Sequence, residues 1–358
     1  MTSSTEPSQA TGQSSLSGAG SPGQTPRLVD TMYSSDKTGL VWGYAFAPEE
    51  GSRSITSEEA AERAAGHGVA GFLWLHFSLS NSASIHWLQE HLQLPASFYE
   101  LLNESPSTRV EAADNALVAV VHDVRFFGAE ASSDATLTLC VNDRMMVSAR
   151  TTQLRAVDRL RGVVKGGTPF ESPVELLAHL LRDQADVLTE IVREATKQVD
   201  KIEDTQLNVT SRSRSALGLI RRRLVRLQRL LAPEPAALFR LLNRPPAWLR
   251  DADVADVRRS AEELSAAVAD SGAVIERVRI LQDELSAQLD EATGRTLYIL
   301  TILTAIVAPF EFISQTFGMG VGGVPLRDNP YGFTIVMAMI LVVIGLGAAL
   351  VRTLLRRS

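Results

Sequence analysis

Leu297 to Ile313 (LYILTILTAIVAPFEFI) and Phe333 to Val351 (FTIVMAMILVVIGLGAALV) decide how this chain is read. The second stretch carries no charge and the first carries only Glu311. A helix needs roughly 20 apolar residues to cross a hydrocarbon core about 30 Å thick, so both are expected to span a membrane. The connection between them, Gly318 to Asn329, is short enough that the two spans form a helical hairpin. Arg352, Arg356 and Arg357 follow the second span, whereas the loop holds only Arg327, offset by Asp328. The excess of basic residues on the inner side of membrane proteins then puts the C-terminus in the cytoplasm. Two crossings return the chain to the same side, so the residues before the first span are expected there too.

Upstream of the first span, Val254, Val257, Ala261, Leu264, Val268, Ser271, Ile275, Val278, Gln282, Leu285, Leu289 and Ala292 recur at steps of three and four. This is a heptad seam with Ser271 and Gln282 as polar exceptions. No proline separates Pro246 from Pro309. A continuous helix from about Asp251 to Phe317 would be roughly 100 Å long at 1.5 Å per residue. Such a helix needs a partner along its length, which favours oligomerisation; the alternative is an ordinary amphipathic helix packed on its own domain. Before it, Ser172-Pro173 opens a helix reaching about Asn208, a second runs from about Ser213 to Leu231, and a shorter piece occupies 236–243. Acidic residues of the first (Glu190, Glu194, Asp200, Glu203, Asp204) are expected to pair with arginines of the second (Arg214 to Arg229) in an antiparallel hairpin.

From about residue 39 to 150 the apolar pattern has period two. Gly39 to Phe46 and Gly71 to Leu79 read as strands, and Asp114-Asn115 and Asn142-Asp143 read as hairpin turns. Ser57 to Ala65, opened by a Ser57 cap, Ser82 to Leu92 and Pro95 to Leu102 read as helices. The expected fold class is an α/β N-terminal cytoplasmic domain plus a long α-helical stalk and two C-terminal transmembrane helices. Its parts are a disordered tail at 1–26, the α/β domain at 27–170, a helical hairpin at 171–248, the stalk at 249–293, the first span at 294–317, a periplasmic loop at 318–330, the second span at 331–351 and a basic tail at 352–358.

The 358 residues carry a net charge of −6, which gives no reason to expect nucleic acid as a partner. No export signal opens the chain, and the single cysteine, Cys140, cannot form an internal disulfide; both fit a reducing compartment. Cys140 itself reads as a small buried hydrophobe in a strand. The six histidines, His67, His76, His86, His91, His122 and His179, show no Cys/His pairing and no His-x-x-x-His spacing, so structural or surface roles are expected. No P-loop is present, and nothing suggests an enzyme.

The first span has a polar stripe. Leu297, Leu300, Thr304, Ala308, Glu311 and Gln315 are spaced three, four, four, three and four apart and share one helix face. An intramembrane carboxylate costs several kcal/mol against lipid, which makes Glu311 a functional candidate and a possible metal-binding group; the alternative is a Glu near the outer interface that snorkels to water. Pro309 removes one helical hydrogen bond beside it.

Phe317-Gly318-Met319 at the end of the first span resembles the signature of the CorA superfamily of divalent-cation transporters. The loop Val321-Gly322-Gly323-Val324-Pro325 resembles its zinc-transporting, ZntB-like branch. Trp74-Leu75-His76, Ser107 to Val110, Ile220 to Pro233 and Gly294-Arg295-Thr296 fall where that branch has similar segments. The resemblance implies a CorA-like homopentamer in a bacterial inner membrane, whose first spans line a central pore through the lipid bilayer and whose stalks form a cytoplasmic funnel. It implies uptake of Zn2+, with proton coupling rather than ATP as the option for energy, with Mg2+, Co2+, Ni2+ and Cd2+ as alternative ions, and no cofactor. The family signature ends in Asn, where this chain has Gly320, which offers only backbone groups. The expectation is that the polar ring has moved inward to Gln315 and Glu311, positions where the family commonly has small or hydroxyl residues. Five Glu carboxylates on one axis repel one another, so such a ring would take up a divalent cation or protons. Leu300 and Leu297 then form an apolar constriction, a gate by dewetting. A zinc transporter, a magnesium or cobalt channel, and a membrane-tethered scaffold that has lost transport all stay open from the sequence.

Overall fold

A computed structural model of the chain describes residues 35–48, 51–66, 71–103, 108–124, 136–204, 211–318, 326 and 329–355. The tail at 1–26, His67, Gly320, the 321–325 motif, Asp328 and the 356–358 end of the basic tail lie outside these residues. By compactness the chain divides into two units. One holds the residues up to Glu190 together with Arg226–Ala269; the other holds Ile191–Val225 and Asp270–Ser358.

The first unit is built on a seven-stranded sheet. Its strands are β1 (Leu40–Ala47), β2 (Gly51–Ile55), β3 (Phe72–Ser78), β4 (Arg109–Ala113), β5 (Ala116–His122), β6 (Thr136–Val141) and β7 (Met145–Arg150), in the order β2-β1-β3-β7-β6-β5-β4. Only β3 and β7 are parallel; the other neighbours are antiparallel. Asp114 and Asn115 both have positive φ, 47° and 62°, the conformation a two-residue hairpin turn requires, and they join β4 to β5 where Ala113 pairs with Ala116. Asn142 closes the other hairpin by accepting the N–H groups of Arg144 and Met145.

Side chains alternate between two cores. Trp74, Leu117, Leu139 and Met146 point to one face, and Leu75, Val118, Cys140 and Val147 to the other. Both faces are covered. The second is closed by α1 (Ser57–Ala64), α2 (Ala83–His91) and α3 (Ala96–Asn103). The first is closed by α4 (Arg155–Lys165), the start of α5 (Pro173–Asp204), α7 (Pro233–Leu242) and the start of α8 (Asp251–Gly318). A sheet buried on both sides carries apolar residues at odd and even positions alike, which is why β5 (ALVAVVH) is buried throughout rather than at every second residue.

Several expectations are corrected at this level. The cap of α1 is Thr56, not Ser57: Thr56 has extended backbone and its hydroxyl accepts the Glu59 N–H, while Ser57 is already helical. β2 (GSRSI) and α4 were not anticipated. β2 is a polar edge strand with no apolar period to reveal it, whereas α4 buries Ala156, Val157, Leu160 and Val164 along one readable face. Cys140 is buried in β6, and burial pushes its thiol up to about 12.

Ser172 does begin α5. Its hydroxyl accepts the Glu175 N–H and donates to Asp253 in the first turn of α8, where Arg250 also grips Asp253 with two hydrogen bonds of 2.8 and 2.9 Å. Among the described residues, the acids of α5 whose ion pairs are seen reach elements other than α6 (Ser211–Leu231). Glu190 pairs with Arg155 and Arg159 of α4. Asp200 and Glu203 pair with Arg277 of α8, and Arg214 of α6 donates to Ser286. The seam of α8 is also met from within the chain. Val257, Ala261 and Leu264 are buried in the first unit, and Ser271, Val278, Leu281 and Leu285 in the second. Up to Leu285 the long helix therefore has intrachain packing and needs no second subunit to cover its seam. From Leu289 to the end of the stalk it is exposed.

A buried polar network crosses the first core where β5 ends. Glu234, with no exposed surface, accepts the backbone N–H of His122 at 2.5 Å and the side-chain amide of Gln184 at 2.6 Å. The His122 ring lies 3.4 Å from the same carboxylate and 3.2 Å from the Thr108 hydroxyl. Next to it, buried Asp123 accepts the N–H groups of Val124 (2.6 Å) and Ala156 (2.8 Å), holding the first turn of α4. Burial raises the Asp123 carboxyl to about 7; the neighbouring Glu234 carboxylate adds to the push, and the backbone N–H groups of Val124, Ala156 and Val157 oppose it. Burial likewise raises Glu234, against the pull of His122 and Gln184.

Two measurable consequences follow from these packing facts. Gly71 has φ +127°, and a Cβ there would sit 1.8 Å from the Phe46 carbonyl oxygen. Gly71→Ala is expected to lower stability by at least about 2 kcal/mol, read as a shifted urea midpoint; an unshifted midpoint contradicts the close approach. Asp123 titrates near 7 when folded and at the ordinary 3.8 when unfolded. Between those values the folded state holds the extra proton, so stability falls as pH rises from about 4 to about 7, by at most about 4 kcal/mol from this group. Denaturation series across that range should show a flatter slope for Asp123→Asn, with the remainder due to Glu234; an unchanged slope excludes Asp123 as the source.

Candidate functional site

The last third of α8 holds the residues that the sequence marks for function. Its apolar window of 18 residues has no buried position. A helix in the core of a soluble protein would be mostly covered, so this surface belongs against lipid or against other chains. Among the described residues α8 is the one helix long and apolar enough to cross a membrane. The described apolar part of α9 (Gly332–Leu355) is the shorter Gly332–Gly347. Asn329 positions the start of α9: its side chain accepts the Tyr331 N–H and its carbonyl accepts the Gly332 N–H. Gly332 is needed there, because a Cβ would lie 2.4 Å from the Leu326 carbonyl oxygen.

The exposure of α8 in this section is not uniform. Leu297, Leu300, Thr304, Ala308, Glu311 and Gln315 are all exposed. Ile302, Ile306, Pro309, Ile313 and Phe317 are half-buried. At about 100° per residue the two sets centre about 180° apart around the helix. The face that the chain partly covers is thus the back of the helix, and the polar stripe looks away from it. Sequence periodicity had assigned the stripe to one face but had no means of saying which face the chain itself would cover.

The chemistry of the stripe is oxygen chemistry. The Thr304 hydroxyl donates to the Leu300 carbonyl at 2.9 Å, as Thr301 does to Leu297 at 2.8 Å. With its proton committed to the helix, Thr304 offers outward only the lone pairs of its oxygen. Glu311 adds carboxylate oxygens and Gln315 an amide oxygen. Pro309 lies inside the helix and has no N–H, which leaves the Ala305 carbonyl without its usual donor one turn before it. Of the signature residues, Phe317 is half-buried and Gly318 exposed at the helix end; Met319 lies outside the described residues, with Gly320 and the loop.

Elsewhere, among the described residues, no three His, Cys, Asp or Glu side chains are placed to hold a metal ion. The histidines sit singly. His76 and His122 are buried, His86 faces Glu90, His91 stacks on Trp87, and His179 lies 3.3 Å from Asp183.

The chain is an α/β domain leading into one 68-residue helix whose last third is uncovered apolar surface, long and apolar enough to cross a membrane. The family model described as "CorA-like Mg2+ transporter protein" matches residues 69–352, and the chain belongs to that family. Membership makes it a transporter rather than an enzyme. It is similar to the "Zinc transport protein ZntB" of Pectobacterium atrosepticum, 26% identical over 275 residues that cover 76% of this chain and 84% of the relative. It is also similar to the "Divalent cation transporter CmaX" of Pseudomonas aeruginosa, 27% identical over 319 residues, covering 86% and 93%. Among solved structures, that of the full-length CmaX protein superposes with a TM-score of 0.71 at 23% identity, covering 90% of this chain and 99% of the other. The CorA magnesium transporter from Methanocaldococcus jannaschii gives 0.69 at 18% identity, covering 86% and 96%. These likenesses share the sheet domain and the long helix.

The two faces of α8 can be told apart by thiol accessibility. A cysteine in place of Thr304 should react with a membrane-impermeant thiosulfonate many times faster than one in place of Ile306, read as labelled fraction in reconstituted protein. Cys140 gives little background because it is buried. Equal labelling at the two positions would remove the distinction between the stripe and the back.

Proposed function

We propose that this chain is the subunit of a divalent-cation transporter of the bacterial inner membrane, carrying zinc inward through the axis of a homopentamer. Family membership supports divalent-cation transport, and likeness to zinc transport proteins at 26–27% identity supports zinc ahead of magnesium, cobalt, nickel or cadmium. One observation carries the reading of the pathway: the polar stripe of α8 is exposed and lies opposite the partly covered face, on a section with no buried position. Packing five such helices with their stripes inward would give each Glu311 an aqueous environment and leave α9 outside, against lipid. A single copy would instead present Glu311 to acyl chains at a cost of several kcal/mol.

In this reading Val321 to Pro325 and Asp328 belong to the periplasmic loop, and Phe317 to Gly320 serve the pore's selectivity. Cations exchange part of their hydration shell for oxygens of Gln315, Glu311 and Thr304, pass Ala308, and meet an apolar constriction at Leu300 and Leu297 that gates by dewetting. Both termini face the cytoplasm, as the arginines after α9 suggest. The stalk sections of the five α8 helices form the cytoplasmic funnel.

The test is flux through purified protein in liposomes, for zinc and for magnesium, with and without a pH gradient. Zinc uptake is expected, and Glu311→Gln should lower it by about tenfold or more, since it removes the charge from the ring. Normal zinc flux in that variant refutes the role of Glu311. Magnesium flux without zinc flux reassigns the ion, and no flux of either leaves a membrane-tethered scaffold.

A further inference from the structure

Beside the edge of the sheet in the first unit lies an open cavity of about 710 Å³, lined among others by Trp42, Tyr44, Ser54, Thr56, Arg161 and Lys165. Nothing in the transport reading uses it. Its floor is unusually fixed. The Trp42 ring stacks on His76 at 4.1 Å, and the Arg161 guanidinium carbon lies 4.3 Å from the ring centre, with that of Arg150 at 5.4 Å. Trp42 is 5% exposed, yet its indole N–H has no acceptor. A buried donor without a partner is uncommon and calls for a group that completes it.

The charge of the lining says which kind of group. Arg161 and Lys165 bring two positive charges. Among the described lining residues the one carboxylate is Asp36, whose Oδ1 accepts from the Thr38 N–H at 2.8 Å, the Thr38 hydroxyl at 2.6 Å and the Leu40 N–H at 3.0 Å, and whose charge leaves that lining one net positive charge. Ser52, also on the wall, donates to the Val164 carbonyl at 3.0 Å and ties β2 to α4, so the wall is braced before any ligand arrives. Buried His76 next door feels the same field: burial first, then Arg150 and Arg161, hold its imidazole well below its usual range. Among its described residues the site thus presents donors and one net positive charge, beside a Trp42 ring held by His76 and Arg161.

We propose that this cavity binds a phosphate-type oxyanion, either free or carried on a small organic molecule, through Arg161, Lys165 and the Trp42 indole N–H. Guanidinium and ammonium groups pair with such oxygens by charge-assisted hydrogen bonds, and the indole N–H supplies a donor of fixed position. The volume is in the range of small-molecule sites and exceeds the needs of a single phosphate, which leaves room beside Tyr44 and Ile55 for an organic body. The proposal is independent of the transport pathway, and its failure would leave that pathway untouched.

The experiment is calorimetric titration of the full-length detergent-solubilised protein with inorganic phosphate, pyrophosphate and ATP at constant ionic strength. Binding is expected for at least one probe. Phosphate or pyrophosphate binding as tightly as ATP identifies a free oxyanion, and ATP binding alone identifies one carried on an organic body. The double variant Arg161→Gln, Lys165→Gln should weaken binding at least about tenfold, and Trp42→Phe, which keeps a ring and removes the N–H, severalfold. Should Trp42→Phe fail to fold, the double variant decides. No binding of any probe at concentrations on the order of 10 mM, or wild-type affinity in the double variant, overturns the proposal.

Discussion

Inside a bilayer no water is available to the peptide groups, so each must be satisfied within its own segment. That constraint would apply to the apolar last third of α8 wherever it lies in lipid. It requires the stretch from Leu297 onward to be helical whatever its neighbours are, and α8 meets it by running unbroken from Asp251 to Gly318. Where the rule is relaxed, the cause is visible. Pro309 frees the Ala305 carbonyl, and Glu311 follows two residues later. Threonines at 301, 304 and 316 return their hydroxyl protons to carbonyls one turn back, so they enter the apolar section without an unsatisfied donor. A helix that resolves its own polar groups in this way is free to commit one face to a different purpose.

The same helix is treated differently along its length, and the boundary has a physical basis. Through Leu285 its seam is matched by residues of α5, α6 and the sheet unit, with Arg277 fixed between Asp200 and Glu203. Past Leu289 the chain provides little cover, and the side chains change from charged and mixed to apolar. Water would penalise that surface heavily at about 25 cal/mol per Å², which is the reason lipid and further copies are the environment it fits. The stalk is thus stabilised by packing within the chain, and its extension has little such packing.

How much of this was legible in the sequence depended on whether the signal was local. Apolar runs, the Asp114-Asn115 turn and the Ser172 cap act within a few residues, and the structure has strands, a positive-φ hairpin and a helix start at those places. The pairing of charges was not legible, because Glu190 is reached by Arg155 and Arg159 through a fold that brings distant segments together. β2 escaped notice since an edge strand with polar residues has no period to detect. His122, Gln184 and Glu234 are spread over more than a hundred residues, and no spacing rule joins them. For the candidate pathway, spacing could put six residues on one face. Knowing that the opposite face is the covered one required coordinates.

The kind of ligand on that face bears on how a cation could move along it. Zinc is held most tightly by thiolate and imidazole, and protein sites that retain it use those groups. The stripe from Leu297 to Gln315 contains neither; its donors are a hydroxyl, a carboxylate and an amide oxygen. Conduction needs sites that accept an ion and then release it. Oxygen donors spaced one to two turns apart meet that need better than a Cys or His cluster, which would capture zinc and keep it. The absence of soft ligands from the stripe is therefore consistent with passage rather than storage. It also implies that discrimination among divalent ions along such a face would rest on hydration, charge and fit more than on ligand softness.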